Sequence, residues 1–534
     1  MAELMERYLH LYGLAYGAYK AGEWNRAESL RHDLDASCGE SLRSLLLKAY
    51  IERDSEKIVS ELQTLLHLLD IFAPEGATQE TGLVAEAWSL LGSACARLGE
   101  HEESTGAFLA SAELESDPRQ RLAELSNAIF SLNYRERTDP TDWKLLYGRY
   151  ARELSAVLPY ERRAYGHGKL RIGYLSADFR LHPVLYFVWG LLTQFDSDHF
   201  EVYLYSSVTE KDSWTDRLKE LPVQWREIAE LTDEAAARQI RADEIDILFE
   251  LGGHSKGNRL GILAYRPAAV QLSGIGYMGS TGLPAADYFL TDRYCSERAS
   301  NPYFTEKLLP LPRTHFCFTP LTDFPELGEP SCLSSGYVTF GSFNNFAKVT
   351  DAMLQLWAEI LRSVPGSRLL LKHKLLGCTE GREWAEKKLF RAGIELTRVE
   401  LRGFSRDYRK EYNELDIALD TFPYTGGQTT CEALYMGVPV VTLSGQRPGS
   451  RFGWSLLQNL ELSECCASTA EEYVQKAVSL ASDRKHLAEL HGNLRKRMQA
   501  SPLMQADAYV RDVEQVYMKI YDDFCGMEVA NEIY

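Results

Sequence analysis

The chain has 534 residues, 45% hydrophobic and 25% charged, which is long enough for roughly three or four globular domains. Its 58 basic and 76 acidic residues give a formal net charge of -18, which opposes nonspecific attraction to nucleic acid or anionic lipid. The first residues lack a basic segment followed by an apolar run, and no stretch reaches the roughly 18 apolar residues of a membrane span. We therefore expect a cytoplasmic protein that binds neither nucleic acid nor membranes.

The ten cysteines are scattered, without Cys-x-x-Cys pairs or the Cys/His spacing of a zinc site. Only Cys465 and Cys466 are neighbours in sequence. Reduced and mostly buried thiols are the expected state.

Apolar residues recur at helical spacing from the start to about residue 165. The segments 19–30 and 87–118 resemble two copies of one unit, because both contain a glycine followed by an acid between helical stretches. The second copy has the large residues, small contact and turn of a tetratricopeptide helix pair at Trp88, Leu91, Gly92, Gly99 and Phe108. A short, degenerate repeat array of this kind serves as a scaffold or as a peptide-binding surface.

After residue 166 β-branched and aromatic runs alternate with helical stretches, and residues 209–242 are predicted to be helical throughout. This alternation predicts a parallel, doubly wound sheet. The predicted strands of this first lobe are 169–179, 200–207, 245–251 and 288–293.

A second series of strands follows a proline-rich segment, 309–330, which is predicted to be a linker. Its strands are predicted at 337–343, 367–374, 399–404, 416–424 and 438–445. The expected domains are helical repeats in 1–165, a first doubly wound lobe in 166–325, a second doubly wound lobe in 326–505 and a helix in 506–534 that packs back on these lobes. In such sheets a ligand binds beyond the carboxyl ends of the strands, so both lobes should offer loops to a cleft.

One loop between strand and helix, in the segment FPYTGGQTTCEALYMGVPVV (422–441), is rich in small hydrogen-bonding residues. Gly427 lets a backbone approach closely, and Gln428, Thr429 and Thr430 bring donors to the positive end of a helix. This arrangement suits a diphosphate. The alternative is an ordinary turn in which a threonine caps the helix.

Two charged residues extend this hypothesis. Glu432 can accept hydrogen bonds from a ribose diol, or it is simply a favourable acid in a first helical turn. Lys348, in GSFNNFAKVT at the end of another strand, suits the neutralisation of a leaving phosphate. A lone lysine is more often a solvated surface residue.

The first lobe offers Asp178 and His182 directly after its first strand. The histidine can exchange a proton, bind a sugar hydroxyl or merely cap the following helix. The glycine-rich segment 252–288 adds residues able to line a sugar pocket: His254, Ser255, Arg259 and the turn Gly276, Tyr277, Met278, Gly279.

An Asp-x-Asp pattern, Asp196 to Asp198, matches the metal and diphosphate motif of some glycosyltransferases. It precedes the strand at 200–207 and so lies at the amino end of the sheet, where a solvated turn is expected. We predict no metal site.

From about residue 120 to 525 the chain resembles the protein O-GlcNAc transferase family, which transfers N-acetylglucosamine from UDP-GlcNAc to Ser or Thr and includes the SPINDLY-like branch that uses fucose. The matching segments are SNAIFSLNY, RIGYLSADFRLHPV, GHSKGNRLGILAYRPAAVQLSGIGYMGSTGLPAADYFLTD, FGSFNNFAKVT and LDTFPYTGGQTTCEALYMGVPVVTLSG. Several long motifs in the same order are more specific than any single one. The short repeat region is similar to bacterial members.

The resemblance implies an α/β GT-B fold, an inverting reaction without metal or other cofactor, and a donor held mainly by the second lobe. By motif, Lys348 would stabilise the UDP leaving group and the loop 427–430 would hold its phosphates. Glu432 would bind the ribose and His182 would face the reacting sugar. Asn345 would lie beside the diphosphate, and Ile275 and Gly276 by the sugar.

The chain departs from the animal pattern at two points of the same loop. Animal members generally have His where this chain has Gln428, and one residue fewer separates Thr430 from Glu432 here. The ribose assignment is therefore weaker than the lysine assignment, and His182 is our candidate for the proton acceptor.

Several hypotheses concern the donor, the acceptor and the activity of this protein. The donor is expected to be UDP-GlcNAc, with UDP-glucose or GDP-fucose as alternatives, and the acceptor is expected to be a protein, with flagellin as a candidate. A homodimer through the helical repeats is a further candidate. A sugar-nucleotide epimerase would not need the repeats, and a non-catalytic scaffold would not need Lys348 together with the loop 426–430.

Overall fold

The computed structural model describes residues 2–73, 80–296 and 301–532. The helices in that part are α1 (Ala2–Lys20), α2 (Trp24–Cys38), α3 (Leu42–Asp54), α4 (Ile58–Phe72), α5 (Thr81–Leu98), α6 (His101–Leu114), α7 (Pro118–Leu132), α8 (Pro140–Glu153), α9 (Pro183–Thr193), α10 (Ser213–Lys219), α11 (Asp233–Ala242), α12 (Gly261–Ala264), α13 (Ser331–Ser335), α14 (Asp351–Ser363), α15 (Thr379–Arg391), α16 (Tyr408–Glu411), α17 (Gln428–Tyr435), α18 (Phe452–Asn459), α19 (Ala470–Ser482), α20 (Arg484–Ala500) and α21 (Ala506–Glu532). None of these described helices combines the length and the apolar character that a membrane crossing requires.

The strands alternate with helices from residue 170 onward. They are β1 (Leu170–Ser176), β2 (Phe200–Ser206), β3 (Gln224–Glu227), β4 (Ile247–Glu250), β5 (Val270–Gly274), β6 (Tyr288–Asp292), β7 (Lys307–Leu311), β8 (Thr339–Ser342), β9 (Arg368–Lys372), β10 (Val399–Arg402), β11 (Ile417–Leu419), β12 (Val440–Leu443) and β13 (Cys466–Ala467).

The chain divides into two compact units. The first comprises Met1–Arg135, Asn345–Gln355 and Leu371–Ser405, and the second comprises Glu136–Asn344, Leu356–Leu370 and Arg406–Tyr534. The first unit therefore contains the helical repeats together with two segments of the second lobe, one after β8 and one that includes the end of β9 and all of β10.

The repeat helices of the first unit pack on their neighbours in sequence, α1 on α2, α3 on α4 and α5 on α6. The predicted contact between Gly92 and Phe108 is present, because a Cβ on Gly92 would lie 2.7 Å from Phe108 Cδ1. Gly99 ends α5 in the left-handed conformation that favours glycine, with φ at 81°. The sequence thus predicted both the helix pair and its turn correctly.

Two side chains of the later segments hold the repeats within the first unit. Glu380, in α15, accepts hydrogen bonds from the backbone N–H groups of Val59 and Ser60 at 2.7 and 3.0 Å. It thereby caps α4, whose own N-cap residue provides no side-chain bond. Trp384 Nε1 donates to Leu98 O at 3.2 Å, which satisfies a carbonyl at the end of α5.

In the second unit seven parallel strands form a sheet in the order β3-β2-β1-β4-β5-β6-β7. Ile172 of β1 pairs with Val202 on one side and Ile247 on the other, and all three side chains are almost inaccessible to solvent. Apolar strands buried on both faces are typical of doubly wound sheets. Helix α21 packs on α9, β5 and β7, and its Tyr517 hydroxyl lies 3.1 Å from that of Tyr174.

Three strands of this sheet differ from the sequence-based expectation. The stretch 209–242 is not helical throughout, because β3 lies between α10 and α11. Strand β5 falls in the glycine-rich segment, where no strand was predicted, and β7 occupies the start of the predicted linker. In β7 the edge position tolerates Pro310, which has no N–H to donate.

The second sheet has the strand order β10-β9-β8-β11-β12-β13. Strands β8, β11, β12 and β13 pair in parallel, with Ala418 beside Gly341 on one side and Val440 on the other. Strand β11 ends at Leu419, earlier than the predicted limit of 424. The residues from 420 onward therefore belong to the loop that enters α17.

All ten cysteines are free thiols and seven of them are buried. This agrees with the expectation of reduced, mostly buried side chains. Burial raises the pKa of Cys465 and of Cys466 to about 12, so both stay protonated at neutral pH.

Candidate functional site

The loop between β11 and α17 leaves the start of the helix open. Gly427 is the N-cap residue and provides no side-chain hydrogen bond to the first turn. The expected alternative, a turn capped by a threonine, is therefore wrong. Because the first N–H groups of a helix have no intrahelical partner, those of Gln428, Thr429 and Thr430 are available to an anion.

Asp420, directly after β11, holds this loop through hydrogen bonds to its carboxylate. Its side chain is only 2% exposed, and Oδ1 accepts from the N–H groups of Thr421 at 2.9 Å and Gly426 at 2.7 Å. Oδ2 accepts from the Thr442 hydroxyl on the neighbouring strand at 2.8 Å. A carboxylate with several donors fixes the loop in one conformation before any ligand arrives.

Asn344 connects the loop to the end of β8. The Thr429 hydroxyl donates to Asn344 Oδ1 at 2.9 Å, and Asn344 Nδ2 donates to Asp420 Oδ1 at 3.4 Å. The Thr429 side chain is thus engaged by the protein, while its backbone N–H belongs to the open first turn. Thr430 is 3% exposed, so its contribution to a ligand would also come from the backbone.

Glu432 is buried and already bound by three donors. Its Oε1 accepts from the Tyr408 hydroxyl at 2.7 Å, Gln428 Nε2 at 3.1 Å and Arg409 Nη2 at 3.2 Å. Burial raises the pKa of this carboxyl, against the opposing effect of these partners. Gln428 and Glu432 therefore bind each other, and the predicted ribose contact of Glu432 requires a rearrangement of this pair.

Arg409 extends the same network to the first lobe within the second unit. Its Nη2 also donates to the Tyr186 hydroxyl of α9 at 3.0 Å, and its guanidinium lies over the Phe324 ring at 4.6 Å from the centroid. Helix α17 and the first-lobe helix α9 are consequently connected through one arginine.

Lys348 belongs to the first unit, at the end of a 3-10 turn, Phe346–Lys348. Asn345 is the N-cap of this turn and its Oδ1 accepts from Ala347 N at 3.1 Å. His101, at the start of α6, binds the Ala347 carbonyl through Nε2 at 2.7 Å. The turn with the predicted catalytic lysine is thus held by the repeats, and the Asn345 carboxamide serves as its cap.

His182 is the N-cap of α9. Its Nδ1 accepts from Val184 N at 3.4 Å and lies 3.4 Å from Asp178 Oδ1. Burial lowers the pKa of His182 and raises that of Asp178, so the imidazole is neutral at pH 7. When Nδ1 accepts the helix N–H, the ring proton resides on Nε2, which then donates a hydrogen bond and does not accept a proton.

The two residues predicted to lie by the sugar form a strained turn after β5. Ile275 has φ at 66°, a left-handed conformation that is costly for a β-branched residue. At Gly276 a Cβ would overlap Leu251 O and lie 2.8 Å from Val184 Cγ2, so only glycine fits between Leu251 and the first turn of α9. Ile275, Gly276 and His182 therefore meet at the same edge of the first sheet.

Two other candidates of the glycine-rich segment are structural. His254 is 1% exposed, its Nε2 lies 3.0 Å from Thr281 O, and burial lowers its pKa to about 3. Arg259 donates to Asp233 Oδ1 at 2.6 Å and to two backbone carbonyls. Neither side chain is available to line a sugar pocket.

The Asp-x-Asp pattern lies in the turn before β2, as predicted. Asp196 Oδ1 accepts from Asp198 N at 2.9 Å and Oδ2 lies 2.8 Å from His199 Nδ1. A buried group in the same unit brings together Asp292, Cys295 and His315, and His315 Nδ1 lies 2.6 Å from Asp292 Oδ2. Ser455 and backbone N–H groups complete the hydrogen bonds of this aspartate.

Sequence reasoning missed four residues that shape the site, namely Asn344, Asp420, Tyr408 and Arg409. A signal existed for Asn344, which follows the predicted strand 337–343, whereas Asp420 fell inside the predicted strand 416–424 and became a loop residue only because β11 ends at Leu419. Tyr408 and Arg409 lie in a short helix distant from the loop in sequence, and their contacts with Glu432 depend on tertiary structure alone.

The family model for glycosyl transferase family 41 matches residues 155–335 and 329–513. A Solanum lycopersicum protein, described as a probable UDP-N-acetylglucosamine–peptide N-acetylglucosaminyltransferase SPINDLY, is 37% identical over 436 residues, covering 78% of this chain and 46% of the relative. An Arabidopsis thaliana relative with the same description is 40% identical over 369 residues, covering 68% of this chain and 40% of the relative. The chain thus spans less than half the length of these curated relatives.

Among solved structures, a mutant of the Thermobaculum terrenum O-GlcNAc transferase superposes with a TM-score of 0.85 at 29% identity, covering 98% of this chain and 99% of that one. The predicted fold class is confirmed: a helical repeat region precedes two doubly wound lobes of the GT-B type. The predicted resemblance is confirmed as well, because the family model covers more than half of the chain. This chain belongs to glycosyl transferase family 41, a family of enzymes.

Proposed function

We propose that this chain transfers N-acetylglucosamine from UDP-GlcNAc to Ser or Thr hydroxyls of protein acceptors. The observation that carries the proposal is the uncapped N-terminus of α17, braced by Asp420 and Asn344. Three adjacent backbone N–H groups in a fixed loop suit a diphosphate. Membership of glycosyl transferase family 41 supports glycosyl transfer, and the descriptions of the relatives favour this sugar and a peptide acceptor.

In this reaction the acceptor oxygen forms a bond to the anomeric carbon from the face opposite UDP. The bond between that carbon and the diphosphate oxygen breaks, its electron pair stays on UDP, and the hydroxyl proton leaves to a base. Negative charge therefore develops on the diphosphate. We assign its neutralisation to Lys348 and to the open turn of α17, so that no metal or other cofactor is required.

The remaining assignments follow the geometry of each lobe. Asn345 lies in the Lys348 turn and is proposed beside the diphosphate, and Gly427 admits close approach of the phosphates. Glu432 is proposed to bind the ribose after its bond to Gln428 opens. Ile275 and Gly276 are proposed beside the sugar.

His182 is proposed to contact the reacting sugar. As a neutral helix cap it donates through Nε2. It becomes a proton acceptor only in the other tautomer, in which Nδ1–H donates to Asp178. The proton acceptor role therefore depends on Asp178.

The test is donor selection with wild type and Lys348→Ala. Both proteins are incubated with a panel of UDP- and GDP-sugars and candidate acceptor proteins, and released nucleotide and intact protein mass are recorded. We expect wild type alone to consume UDP-GlcNAc and one acceptor to gain the mass of N-acetylglucosamine. Equal turnover by the variant would remove the role of Lys348, and consumption of no donor would leave the scaffold alternative.

The same experiment separates the finer proposals. A gain of hexose or deoxyhexose mass would identify UDP-glucose or GDP-fucose as the donor. Flagellin is included as a candidate acceptor because a cytoplasmic enzyme of this family can reach it before export. Sedimentation of the purified chain tests the proposed homodimer, and localisation in cell fractions tests the cytoplasmic expectation.

A further inference from the structure

A cavity of about 410 Å³ lies within the first unit, against the turn that carries Lys348. Asn345 and Ala347 of that turn form part of its wall. The other lining residues come from the ends of the repeat helices, among them Arg53, Arg97 and His101, and from the segment after β9, among them His373 and Lys374.

The wall of the cavity carries more positive than negative charge. Arg53, Arg97 and Lys374 are its cations and Glu56 is its only carboxylate. The two imidazoles add no charge at neutral pH, because burial lowers the pKa of His101 and of His373 to about 4. Because Asp54 and Glu61, which lie outside the lining, pair with the two arginines, the cavity attracts an anion through Lys374 and through the guanidinium N–H groups that these pairs leave over.

Both arginines are oriented by partners that do not themselves line the cavity. Arg53 donates to Asp54 through Nε at 2.8 Å and to the Tyr19 hydroxyl through Nη2 at 3.1 Å. Arg97 donates to the buried Glu61 through Nη2. In each guanidinium the Nη1 group makes no hydrogen bond to any residue that the structure describes, so it remains available to a carboxylate.

Lys374 stands at the exposed rim of the same cavity. It forms no ion pair within the described ranges, and its flexible stem lets the ammonium move toward a bound group. The apolar part of the wall, with Ile58, Phe130 and Leu375, can pack against an aliphatic stem. The cavity therefore combines charged donors with an apolar surface, as a site for Asp or Glu requires.

We propose that this cavity binds an acidic side chain of the acceptor polypeptide, close in sequence to the Ser or Thr that receives the sugar. The inference rests on the proposed function, in which the acceptor hydroxyl approaches the donor beside Lys348. Since Asn345 and Ala347 are part of the Lys348 turn and an extended chain advances about 3.3–3.6 Å per residue, the acid lies within a few residues of the hydroxyl. The repeats thereby select acceptors by local charge.

The test is a charge exchange between peptide and protein. Synthetic peptides of one length carry a single central Thr and have Asp, Ala or Lys at each flanking position. Transfer from UDP-GlcNAc is followed by peptide mass, and binding without donor is followed by fluorescence anisotropy. The proteins are wild type, Lys374→Glu and the matched control Lys387→Glu, which makes the same charge change on an exposed position of α15 outside the cavity.

We expect wild type and Lys387→Glu to prefer Asp over Lys peptides by about tenfold in kcat/KM, as one charged hydrogen bond supplies. Lys374→Glu should lose or reverse this preference at the same flanking positions. The inference is overturned if charge has no effect, or if Lys374→Glu retains the preference. If no peptide is glycosylated but anisotropy shows the same exchange, the transferase proposal fails and the acidic site stands.

Discussion

Two strand-to-helix turns of the second unit differ in whether a side chain binds the first N–H groups of the helix. At the start of α9 the His182 imidazole accepts a helix N–H, so the turn is closed by its own side chain. At the start of α17 Gly427 has no side chain to offer, and Asp420 holds the loop from beneath without covering the first turn. A buried carboxylate that shapes a loop while leaving its helix end open indicates a site for an anionic ligand.

The comparison also separates two kinds of polar residue. Around the closed turn the polar groups satisfy one another, as Asp178, His182 and Val184 do. Around the open turn the side chains are satisfied and the backbone N–H groups are left over. The second pattern leaves N–H donors for an anion or for water, whereas the first leaves none at its cap.

The largest effect is expected from removing the charge of Lys348, which we assign to the neutralisation of the UDP leaving group. Lys348→Ala should lower kcat by about 10²–10³-fold, because it removes a cation that acts mainly in the transition state. Single-turnover kinetics with UDP-GlcNAc measures this, and a thermal unfolding scan checks that the fold is intact. Lys348→Arg is the matched control, since it retains the charge; near-normal turnover of Lys348→Ala would contradict the assignment.

The second prediction concerns Asp420, which holds the loop that precedes the open first turn of α17. Asp420→Ala should reduce the free energy of unfolding by about 3 kcal/mol, since it leaves the Gly426 N–H and the Thr442 hydroxyl without their acceptor. UDP affinity should fall as well, because the loop is no longer held. Urea denaturation and titration with UDP measure the two effects. Asp420→Asn, which retains an acceptor oxygen, should lose less in both; unchanged UDP affinity in Asp420→Ala would show that the loop does not bind the diphosphate.

The third prediction tests whether the closed turn is only structural. His182→Ala should cost about 1 kcal/mol of stability through loss of the cap, and His182→Asn should recover that amount because Asn is a good N-cap. If His182 also contacts the reacting sugar, His182→Asn remains slow in turnover despite its recovered stability. Full recovery of turnover by His182→Asn would reduce His182 to a cap.

The stabilisation that the His182 cap provides should also depend on pH. Burial lowers the pKa of His182 below its unfolded value of about 6.5, so the stabilisation is complete above that pH and is lost as the pH falls toward the folded pKa. The difference in unfolding free energy between wild type and His182→Ala should therefore shrink from pH 7.5 to pH 5.5. A difference that is the same at both values would contradict a neutral imidazole cap.

The smallest effect is expected from chelation. EDTA should leave turnover unchanged, because Lys348 and the helix end are proposed to neutralise UDP, and the carboxylate of Asp292 is bound by His315 and Ser455. Initial rates with and without EDTA measure this. Strong inhibition that Mn²⁺ reverses would overturn the proposal and would favour the Asp196–Asp198 turn as a metal site.

Much of the fold could be predicted from periodicity. The apolar strands β1, β2, β4 and β6 stand within or close to their predicted ranges, since buried parallel strands have a clear apolar signature. The missed strands lack this signature. Strand β3 is a short, partly exposed edge, and β5 contains the buried polar residues Gln271 and Ser273, whose side chains donate hydrogen bonds to Leu263 O and Glu250.

The candidate site shows the same division. The loop 426–430 could be located because glycines and hydroxyl residues at a helix start have a local physical reason. That Glu432 binds Gln428, Tyr408 and Arg409 could not, because two of these partners are 23 or more residues away. The bond of Asn344 to Thr429 was also missed, because the local sequence does not show which residue after a strand contacts the neighbouring loop.

The contact of His101 with the Ala347 carbonyl has a consequence for protein engineering. The repeats cannot be exchanged as a separate domain, because the compact unit to which they belong also includes Asn345–Gln355 and Leu371–Ser405. A cut near residue 135 would separate His101 from the Lys348 turn that it holds. The same cut would separate α4, in the excised array, from its Glu380 cap. Grafting the array of a relative onto this chain, or this array onto a relative, therefore requires that all three segments travel together.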